Sequence, residues 1–372
     1  MLKCGSIMAS NFHGFFFIFI FIIFSYLTLF VEAAALVPAM FVFGDSLVDV
    51  GNNNYLNFSS PKANFYPNGI DFPTGKPTGR FCNGKNPADF LAEKVGLASA
   101  PSYLSIIENS SRHTHNINRG INFAFGGATI IPQSNQIIST SISLCKQVVY
   151  YNSIYKSLVK DLGVNKAKAY TSKSLYFIEI GSNDIFAYFA STNLRKTYIP
   201  PQYLDLMFHH FEKQLKILYK NGARKLVVIG VGVVGCTPAM RYQNISEGCN
   251  SEMNWLAFVY NQHLISMLNR LKDELFGFHF SFFDGFSIML TSIHKPNSFG
   301  FSEVKAACCG FGRLKAEMAC IPKASYCNNR EKYLFWDKYH PTQQAHRFFS
   351  DLIFNGPQKY TFPINVQTLI AI

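Results

Sequence analysis

Three side chains in this sequence have the types and spacing that acyl transfer requires. Ser46 follows a short apolar run at Met40–Phe43, which predicts a buried strand, and Gly44 permits a sharp turn between them. Asp337 and His340 stand close together near the other end of the chain, so the carboxylate can reach one imidazole nitrogen while the other faces outward. A serine hydroxyl is a weak nucleophile that needs a base, and the base needs an orienting group.

Each of these residues also has a structural interpretation. Ser46 stands where the strand is expected to give way to a helix, so it could serve only as that helix's N-cap. At the same position, however, backbone N–H groups and the helix dipole would favour a group that develops negative charge. The pair Asp337 and His340, taken alone, would fit a surface turn.

Acyl transfer also needs hydrogen-bond donors aimed at the developing oxyanion. The Ser46 N–H, the Gly127 N–H and the Asn183 side-chain amide could provide three. Gly127 ends a predicted strand that begins at Gly120, and Asn183 follows the predicted strand 174–180. A tight turn and a helix cap would explain these two residues separately, but both fall at strand ends, as Ser46 does.

Apolar periodicity predicts strands that alternate with helices along one continuous chain. This alternation is typical of an α/β domain with a parallel sheet covered on both faces, and its sites lie at the carboxyl ends of the strands. The predicted strands are 40–43, 120–128, 174–180, 225–229 and 279–283, and the predicted helices are 87–95, 147–159, 204–221, 256–275 and 341–354.

The N-terminal segment predicts a secretory signal peptide over residues 1–35. An apolar run at 15–30 follows Lys3. Glu32 comes after this run, and the next three residues are alanines, which provide the small side chains that signal peptidase recognises. A retained signal anchor is the alternative, but the run is shorter than the roughly 20 residues of a spanning helix. We therefore expect one α/β domain at 36–372, secreted to the extracellular space or cell wall, without a stable membrane span after cleavage.

Cysteines and glycosylation sequons agree with that compartment. Eight cysteines remain after residue 35, an even number that indicates disulfides, with Cys236–Cys249 a plausible local pair and a second cluster at 308–327. No C-x-x-C pair occurs, which argues against a zinc site. Three sequons predict glycosylation at Asn57, Asn109 and Asn244.

The charge balance predicts which partners the protein meets. A formal net charge of +12 favours anionic surfaces, such as an acidic cell-wall polysaccharide. The basic residues are scattered along the chain, so no nucleic-acid partner is expected. The composition, 48% hydrophobic and 15% charged, excludes a disordered chain.

Two other patterns suggest different chemistry. Gly230, Gly232 and Gly235 have the spacing of a dinucleotide fingerprint after a predicted strand, but Pro238 would break the helix that must follow. His113-x-His115 could be a metal pair, yet no acidic or cysteine partner stands nearby, so a solvated loop is expected. His263 is expected to be packed on the apolar side of a helix.

Six motifs, in this order, make the chain resemble the plant-type GDSL esterase/lipase family of the SGNH hydrolase superfamily. They are residues 43–54 (FGDSLVDVGNNN), 71–81 (DFPTGKPTGRF), 120–124 (GINFA), 181–184 (GSND), 308–310 (CCG) and 335–342 (FWDKYHPT). The resemblance implies a flavodoxin-like α/β/α sandwich with a mostly parallel five-stranded sheet and neither a metal nor an organic cofactor.

The resemblance also implies the roles of the site residues. Ser46 would be the nucleophile, His340 the general base and acid, and Asp337 its orienting group. The oxyanion hole would consist of Ser46, Gly127 and Asn183.

The chain departs from the family pattern at four positions. Phe125 and Thr129 replace the usual Ser and Gly around the Gly pair, so Phe125 could narrow the pocket, and either Gly126 or Gly127 could be the oxyanion donor. Cys82 and Cys145 are also unexpected, and they would either pair with each other or remain free.

The resemblance predicts a secreted serine ester hydrolase that works through an acyl-enzyme intermediate on an ester substrate. Two alternatives remain open at this point. One is an acyltransferase that passes the acyl group to an alcohol acceptor of a cutin-like polyester, and the other is a non-catalytic binding protein on the same scaffold.

Overall fold

The computed structural model describes residues 35–56, 61–108, 119–132 and 141–372. Residues Val37–Ile372 form a compact unit. Four sequence-based predictions lie outside the described residues: the signal peptide up to residue 34, the sequons at Asn57 and Asn109, and the pair His113 and His115. No helix within the described ranges is long and apolar enough to span a bilayer.

The central sheet has five strands, of which four are parallel, as the sequence predicted. The strands of the described part are β1 Met40–Gly44, β2 Leu175–Glu179, β3 Lys225–Ile229, β4 His279–Phe283, β5 Glu303–Ala307, β6 Cys309–Gly310, β7 Ser325–Tyr326, β8 Tyr333–Phe335 and β9 Thr361–Pro363. The order of the central sheet is β1-β2-β3-β4-β9, and only β9 runs antiparallel to its neighbour.

Helices cover both faces of this sheet, which confirms the predicted α/β/α sandwich. The α-helices of the described part are α1 Pro87–Lys94, α2 Tyr103–Glu108, α3 Leu144–Leu162, α4 Val164–Lys173, α5 Ser182–Ala190, α6 Thr192–Thr197, α7 Pro200–Lys220, α8 Pro238–Tyr242, α9 Ser251–Glu274, α10 Gly285–His294, α11 Gln343–Asn355 and α12 Val366–Ala371. One face of the sheet packs against α3, α7 and α9, and the other packs against α1, α10, α11 and α12.

Burial on both faces explains why the parallel strands are apolar throughout. In β1, Phe41 and Phe43 belong to the core on one side, while Met40 and Val42 belong to the core on the other side. All four side chains are at most 1% exposed. Because β1 and β2 are parallel neighbours, their carboxyl ends lie side by side, with Gly44 in register with Glu179.

The predicted strand at 120–128 is wrong as a regular strand. This segment contacts β1 through the Phe123 N–H, which donates to Val42 O at 2.7 Å. The Asn122 N–H, however, donates to Pro101 O at 2.9 Å. Asn122 forms isolated bridges with Val42 and with Ser102, and neither bridge continues as a regular ladder along the described segment. The fifth strand is instead β9, which the sequence analysis did not predict.

No helix starts at Ser46, contrary to the prediction. Residues 45–48 form a single turn, in which Asp45 O accepts from both Val48 N at 3.3 Å and Asp49 N at 3.1 Å. The Asp49 carboxylate then accepts the N–H groups of Gly51 at 2.8 Å and Asn52 at 2.7 Å, so the chain turns away instead of continuing as a helix. A 3₁₀ helix follows at Asn52–Tyr55.

Pro341 also lies outside the helix that it was predicted to begin. The side chain of Thr342 accepts from Ala345 N at 3.2 Å and caps α11, which starts at Gln343. This helix is not the last element either, since β9 and α12 follow it.

Three disulfides are present in the described part of the chain. The predicted Cys236–Cys249 pair is confirmed, and the second cluster contains Cys308–Cys327 and Cys309–Cys320. Cys82 and Cys145 are free thiols, and Cys82 is buried.

Candidate active site

The structure brings Ser46, His340 and Asp337 into one hydrogen-bonded line. Ser46 Oγ lies 2.7 Å from His340 Nε2, and His340 Nδ1 lies 2.8 Å from both carboxylate oxygens of Asp337. The side chains of His340 and Asp337 are only 13% and 15% exposed. This arrangement places an imidazole beside the hydroxyl and a carboxylate behind the imidazole, which is the geometry that a serine nucleophile requires.

Local backbone contacts fix the segment that carries the base. Asp337 Oδ1 accepts from the N–H groups of Tyr339 at 2.8 Å and His340 at 2.9 Å, so the carboxylate folds the chain around itself. The Trp336 N–H donates to His340 O at 2.7 Å and closes the turn. The buried indole of Trp336 donates to Asn68 Oδ1 at 2.8 Å, which fastens the segment to a distant loop.

The turn that carries Ser46 is fixed from both sides. Asp45 N donates to Glu179 O at 3.2 Å, and the Asp45 carboxylate accepts from Leu47 N at 3.0 Å. Gly44 is required here because a Cβ would lie 2.3 Å from Glu179 O. Gln147 binds both backbone groups of Gly44, at 2.9 Å and 2.8 Å.

Electrostatic interactions favour an ionised Asp337 beside a basic His340. Burial lowers the pKa of His340, but the charge and hydrogen bond of Asp337 and the charge of Asp45 outweigh it, so the pKa is raised overall. Burial raises the pKa of Asp337, but His340 and the two backbone N–H groups lower it by more. Burial also raises the pKa of Asp45 to about 6, against the hydrogen bond from Leu47 N and the charge of His340.

Gly127 and Asn183 line the same cavity as Ser46 and His340. The Gly126 N–H already donates to Asp49 Oδ2 at 3.2 Å, which leaves Gly127 as the better placed of the two candidate donors. Gly127 has a φ of +81°, which a side chain would strain. The Asn183 amide donates to Ala128 O at 3.0 Å and to Asp45 Oδ2 at 3.3 Å.

Two buried carboxylates hold the loops that carry these donors. Asp184 accepts from Ile130 N at 2.9 Å and Ile131 N at 3.0 Å, just beyond Gly127. Asp49 binds the Gly126 side of the same loop. Asp49 and Asp184 therefore fix the loop that carries Gly127 from both ends.

A cavity of about 380 Å³ opens at the serine and is mostly apolar. Phe186 and Tyr339 stack edge-on across its wall, with ring centroids 5.3 Å apart. Its lining also includes β3 and β4 residues and α10 and α11 residues on one face of the sheet, namely Ile229, Phe283, Met289, Phe349 and Ile353. Such a surface fits an aliphatic chain.

Glu179 and His346 line this cavity as well, and the sequence analysis did not single out either of them. Gln147 could not be recognised from the neighbouring sequence either, because its partner Gly44 is 103 residues away in the chain. Only the apolar strand before Glu179 and the helical spacing around His346 could have placed them near the site.

Two expectations about single side chains are wrong. Phe125 does not narrow the cavity: it is fully buried in the opposite core, with its ring 6.2 Å from that of Tyr150. An aromatic residue is tolerated at position 125 because its side chain points away from the cavity.

His263 is exposed on α9 and contacts only the rim of the core, with its ring 5.6 Å from that of Phe208.

The glycines at 230–235 form a loop beside the cavity. A Cβ on Gly232 would lie 2.4 Å from Met289 Sδ, so close packing explains this glycine. The loop leads into a 3₁₀ helix at Val234–Cys236, and Pro238 begins the short helix α8. Within the described ranges, no group of three His, Cys, Asp or Glu side chains could hold a metal ion.

Comparison with known proteins identifies the family. The GDSL-like Lipase/Acylhydrolase family model matches residues 40–353. A GDSL esterase/lipase of Arabidopsis thaliana is 44% identical over 343 residues, which cover 91% of this chain and 91% of that protein. A second GDSL esterase/lipase of Arabidopsis thaliana is 39% identical over 340 residues, covering 88% of this chain and 90% of that protein.

Similarity to solved structures is weaker. LAE5, an α/β hydrolase enzyme from the metagenome of Lake Arreo in Spain, is 11% identical and is matched over 86% of this chain and 96% of its own, with a TM-score of 0.33. That score is too low to support an inference. The family model and the curated relatives are sufficient: the chain belongs to the GDSL esterase/lipase family and is a carboxylic ester hydrolase.

Proposed function

We propose that the protein hydrolyses carboxylic esters through an acyl-enzyme formed on Ser46. The observation that carries this proposal is the continuous line from Ser46 Oγ through His340 to Asp337, with heavy-atom distances of 2.7 Å and 2.8 Å. The line ends in a cavity whose apolar lining suits an acyl chain. A nucleophile, a base and an orienting group in this geometry form the arrangement of a serine hydrolase.

In the first half-reaction, His340 Nε2 takes the proton of Ser46 Oγ as this oxygen attacks the ester carbonyl carbon. The carbonyl oxygen becomes an oxyanion, which the Ser46 N–H, the Gly127 N–H and the Asn183 amide stabilise. Asn183 would exchange its longer hydrogen bond, 3.3 Å to Asp45, for one to the oxyanion. The bond to the alcohol oxygen then breaks, and the alcohol leaves with the proton from His340.

In the second half-reaction, water replaces the alcohol. His340 takes a proton from the water molecule as its oxygen attacks the acyl carbon, and the same donors stabilise the second oxyanion. The bond to Ser46 Oγ breaks, Ser46 regains its proton from His340, and the carboxylic acid leaves.

Hydrolysis of nitrophenyl esters from two to sixteen carbons tests this proposal. Ser46→Ala should abolish turnover above the background rate, because it removes the hydroxyl that lies 2.7 Å from His340 Nε2. Ser266→Ala is a matched control on the exposed face of α9 and should keep wild-type rates. Wild-type turnover in Ser46→Ala would refute the mechanism.

We also infer that the protein is secreted and glycosylated. The apolar run at 15–30 and the three disulfides support this compartment. Asn244 is exposed, and its Oδ1 accepts from Ser246 Oγ at 2.9 Å. N-terminal sequencing of protein recovered from the medium should find a start near Leu36. A start at Met1 would contradict cleavage.

The net charge of +12 supports association with acidic cell-wall polysaccharide. Retention on a polygalacturonate resin should fall as salt rises from 0.05 to about 0.5 M, because exposed charges are screened. Retention that is independent of salt would exclude an electrostatic attachment.

A further inference from the structure

Two side chains that line the active-site cavity each have a buried polar atom without a hydrogen-bond partner in the described part of the chain. Glu179, at the end of β2, and His346, in the first turn of α11, both line this cavity. Glu179 Oε2 and His346 Nδ1 are buried and have no hydrogen-bond partner among the residues that the structure describes. His346 is only 2% exposed.

Their surroundings are apolar. In the parallel register Glu179 pairs with Ile229, and Ile229 pairs with Phe283, so all three side chains point to the same face of the sheet. Phe349 and Ile353 follow His346 at helical spacing and line the same cavity. A buried polar atom without a partner costs free energy, so two of them in an apolar cavity indicate hydrogen bonds made to something that enters it.

Burial favours the uncharged form of both groups. Burial, followed by the charge of Asp45, raises the pKa of Glu179 well above its ordinary value, which favours the protonated carboxyl group. Burial and the charge of His340 lower the pKa of His346 to about 3, against the charge of Asp89, so its ring is neutral. A carboxylic acid and a neutral imidazole each offer one donor and at least one acceptor.

This chemistry selects a particular ligand group. A hydroxyl both donates and accepts a hydrogen bond and carries no charge, so it matches these partners. The lining of the cavity includes no lysine or arginine, so an anionic group would have no such cationic partner there, and burial in a mostly apolar cavity disfavours an ion of either sign. A purely aliphatic chain would leave both polar groups unpaired.

We propose that Glu179 and His346 are specificity-determining residues that bind a hydroxyl group on the aliphatic chain of the ester substrate. The substrate class is therefore an ester whose chain carries a hydroxyl some distance from the ester bond. The hydroxyl could belong to a hydroxyacyl group or to a hydroxylated alcohol, since both place the same chemistry beside the same carbonyl. This inference rests on the proposed function of Ser46.

Two matched substrate series test it. The acyl series compares ethyl decanoate with ethyl hydroxydecanoates that carry the hydroxyl at successive carbons. The alcohol series compares decyl acetate with the corresponding hydroxydecyl acetates. In one series, at least one hydroxylated ester should show a kcat/KM about five- to tenfold above that of the plain ester, which is the effect of one or two neutral hydrogen bonds.

Variants assign that preference to the two residues. Glu179→Leu and His346→Leu should each reduce the ratio of hydroxylated to plain kcat/KM towards one. Glu179→Gln keeps a donor and an acceptor and should retain most of the ratio. Met289→Leu conserves the volume of an apolar part of the same cavity, so it should leave the ratio unchanged.

The outcomes separate this inference from the mechanism. If no hydroxylated ester in either series exceeds its plain counterpart in the wild type, the inference is wrong even if a leucine variant does not fold. The same conclusion follows if folded Glu179→Leu and His346→Leu both keep the wild-type ratio. Loss of all turnover in Ser46→Ala, alongside either result, would leave the proposed function intact.

Discussion

Asp337→Asn removes the negative charge that, in the proposed mechanism, keeps the proton of His340 on Nδ1. In the wild type, both carboxylate oxygens of Asp337 lie 2.8 Å from His340 Nδ1, so Nδ1 carries the proton and Nε2 is free to accept one from Ser46. In the variant, an amide NH₂ would replace one of these oxygens. Donor would then face donor unless the imidazole proton moves to Nε2, where it blocks the base.

The expected loss in kcat is on the order of 10⁴-fold, which is the loss observed when the corresponding Asp→Asn substitution leaves the histidine of a serine protease triad in the wrong tautomer. The backbone should hold, because the remaining Oδ1 can still accept from the N–H groups of Tyr339 and His340. KM should therefore change much less than kcat, and the melting temperature should stay close to that of the wild type.

The pH dependence provides a second test of the same substitution. His340 must be neutral to act as a base, and Asp337 and Asp45 raise its pKa. In the wild type, activity should therefore fall as the pH drops through a midpoint above 6.5, the ordinary histidine value. Without the Asp337 charge this midpoint should move to lower pH, since burial then opposes protonation with less compensation.

The assay is kcat/KM for a nitrophenyl ester from pH 5 to 9, with circular dichroism on each variant. Asp284→Asn is the matched control: Asp284 caps α10 by accepting from Ser287 N at 3.0 Å, and asparagine caps equally well. It should leave both kcat and the midpoint unchanged. A folded Asp337→Asn that retains kcat within tenfold of the wild type would refute this role of Asp337.

Three further substitutions test the oxyanion site and the scaffold. Asn183→Ala should lower kcat by about 10²- to 10³-fold with a small change in KM, and a change confined to KM in steady-state kinetics would contradict an oxyanion role. Replacing Cys236 and Cys249 by serine opens a link of sequence separation 13 and should lower the free energy of unfolding by about 3 kcal/mol in a urea titration, so an unchanged urea midpoint would count against this link. Arg80→Ala leaves the buried carboxylate of Asp89 without its bidentate partner and should cost about 3–5 kcal/mol in the same titration, whereas a loss below 1 kcal/mol would mean that the pair is not buried as described.

The sequence predicted the inner strands well because burial on both faces makes them continuous apolar runs. The predicted strands 225–229 and 279–283 match β3 and β4 to the residue. The edge strand β9 has no such signal. It has three residues and ends in Pro363, which is tolerated only because it lies at the edge of the sheet.

The hydrogen-bonded line of Ser46, His340 and Asp337 was predictable because its parts carry local sequence patterns. Asp337 and His340 share one turn, and Ser46 directly follows a strand and a glycine. The supporting contacts were not predictable in the same way. Gln147 binds Gly44, which is 103 residues away in the chain. Glu179 lines the cavity because helix α11 packs on the face of the sheet to which the Glu179 side chain points.

The central claim is that Ser46 becomes acylated, and covalent trapping tests it most directly. The purified protein would be treated with an alkyl fluorophosphonate, digested and analysed by mass spectrometry. The account predicts one phosphonyl group, on Ser46, in step with loss of esterase activity, and much slower labelling in His340→Ala. Inactivation with the label on another residue, or full esterase activity in a protein labelled at Ser46, would contradict it.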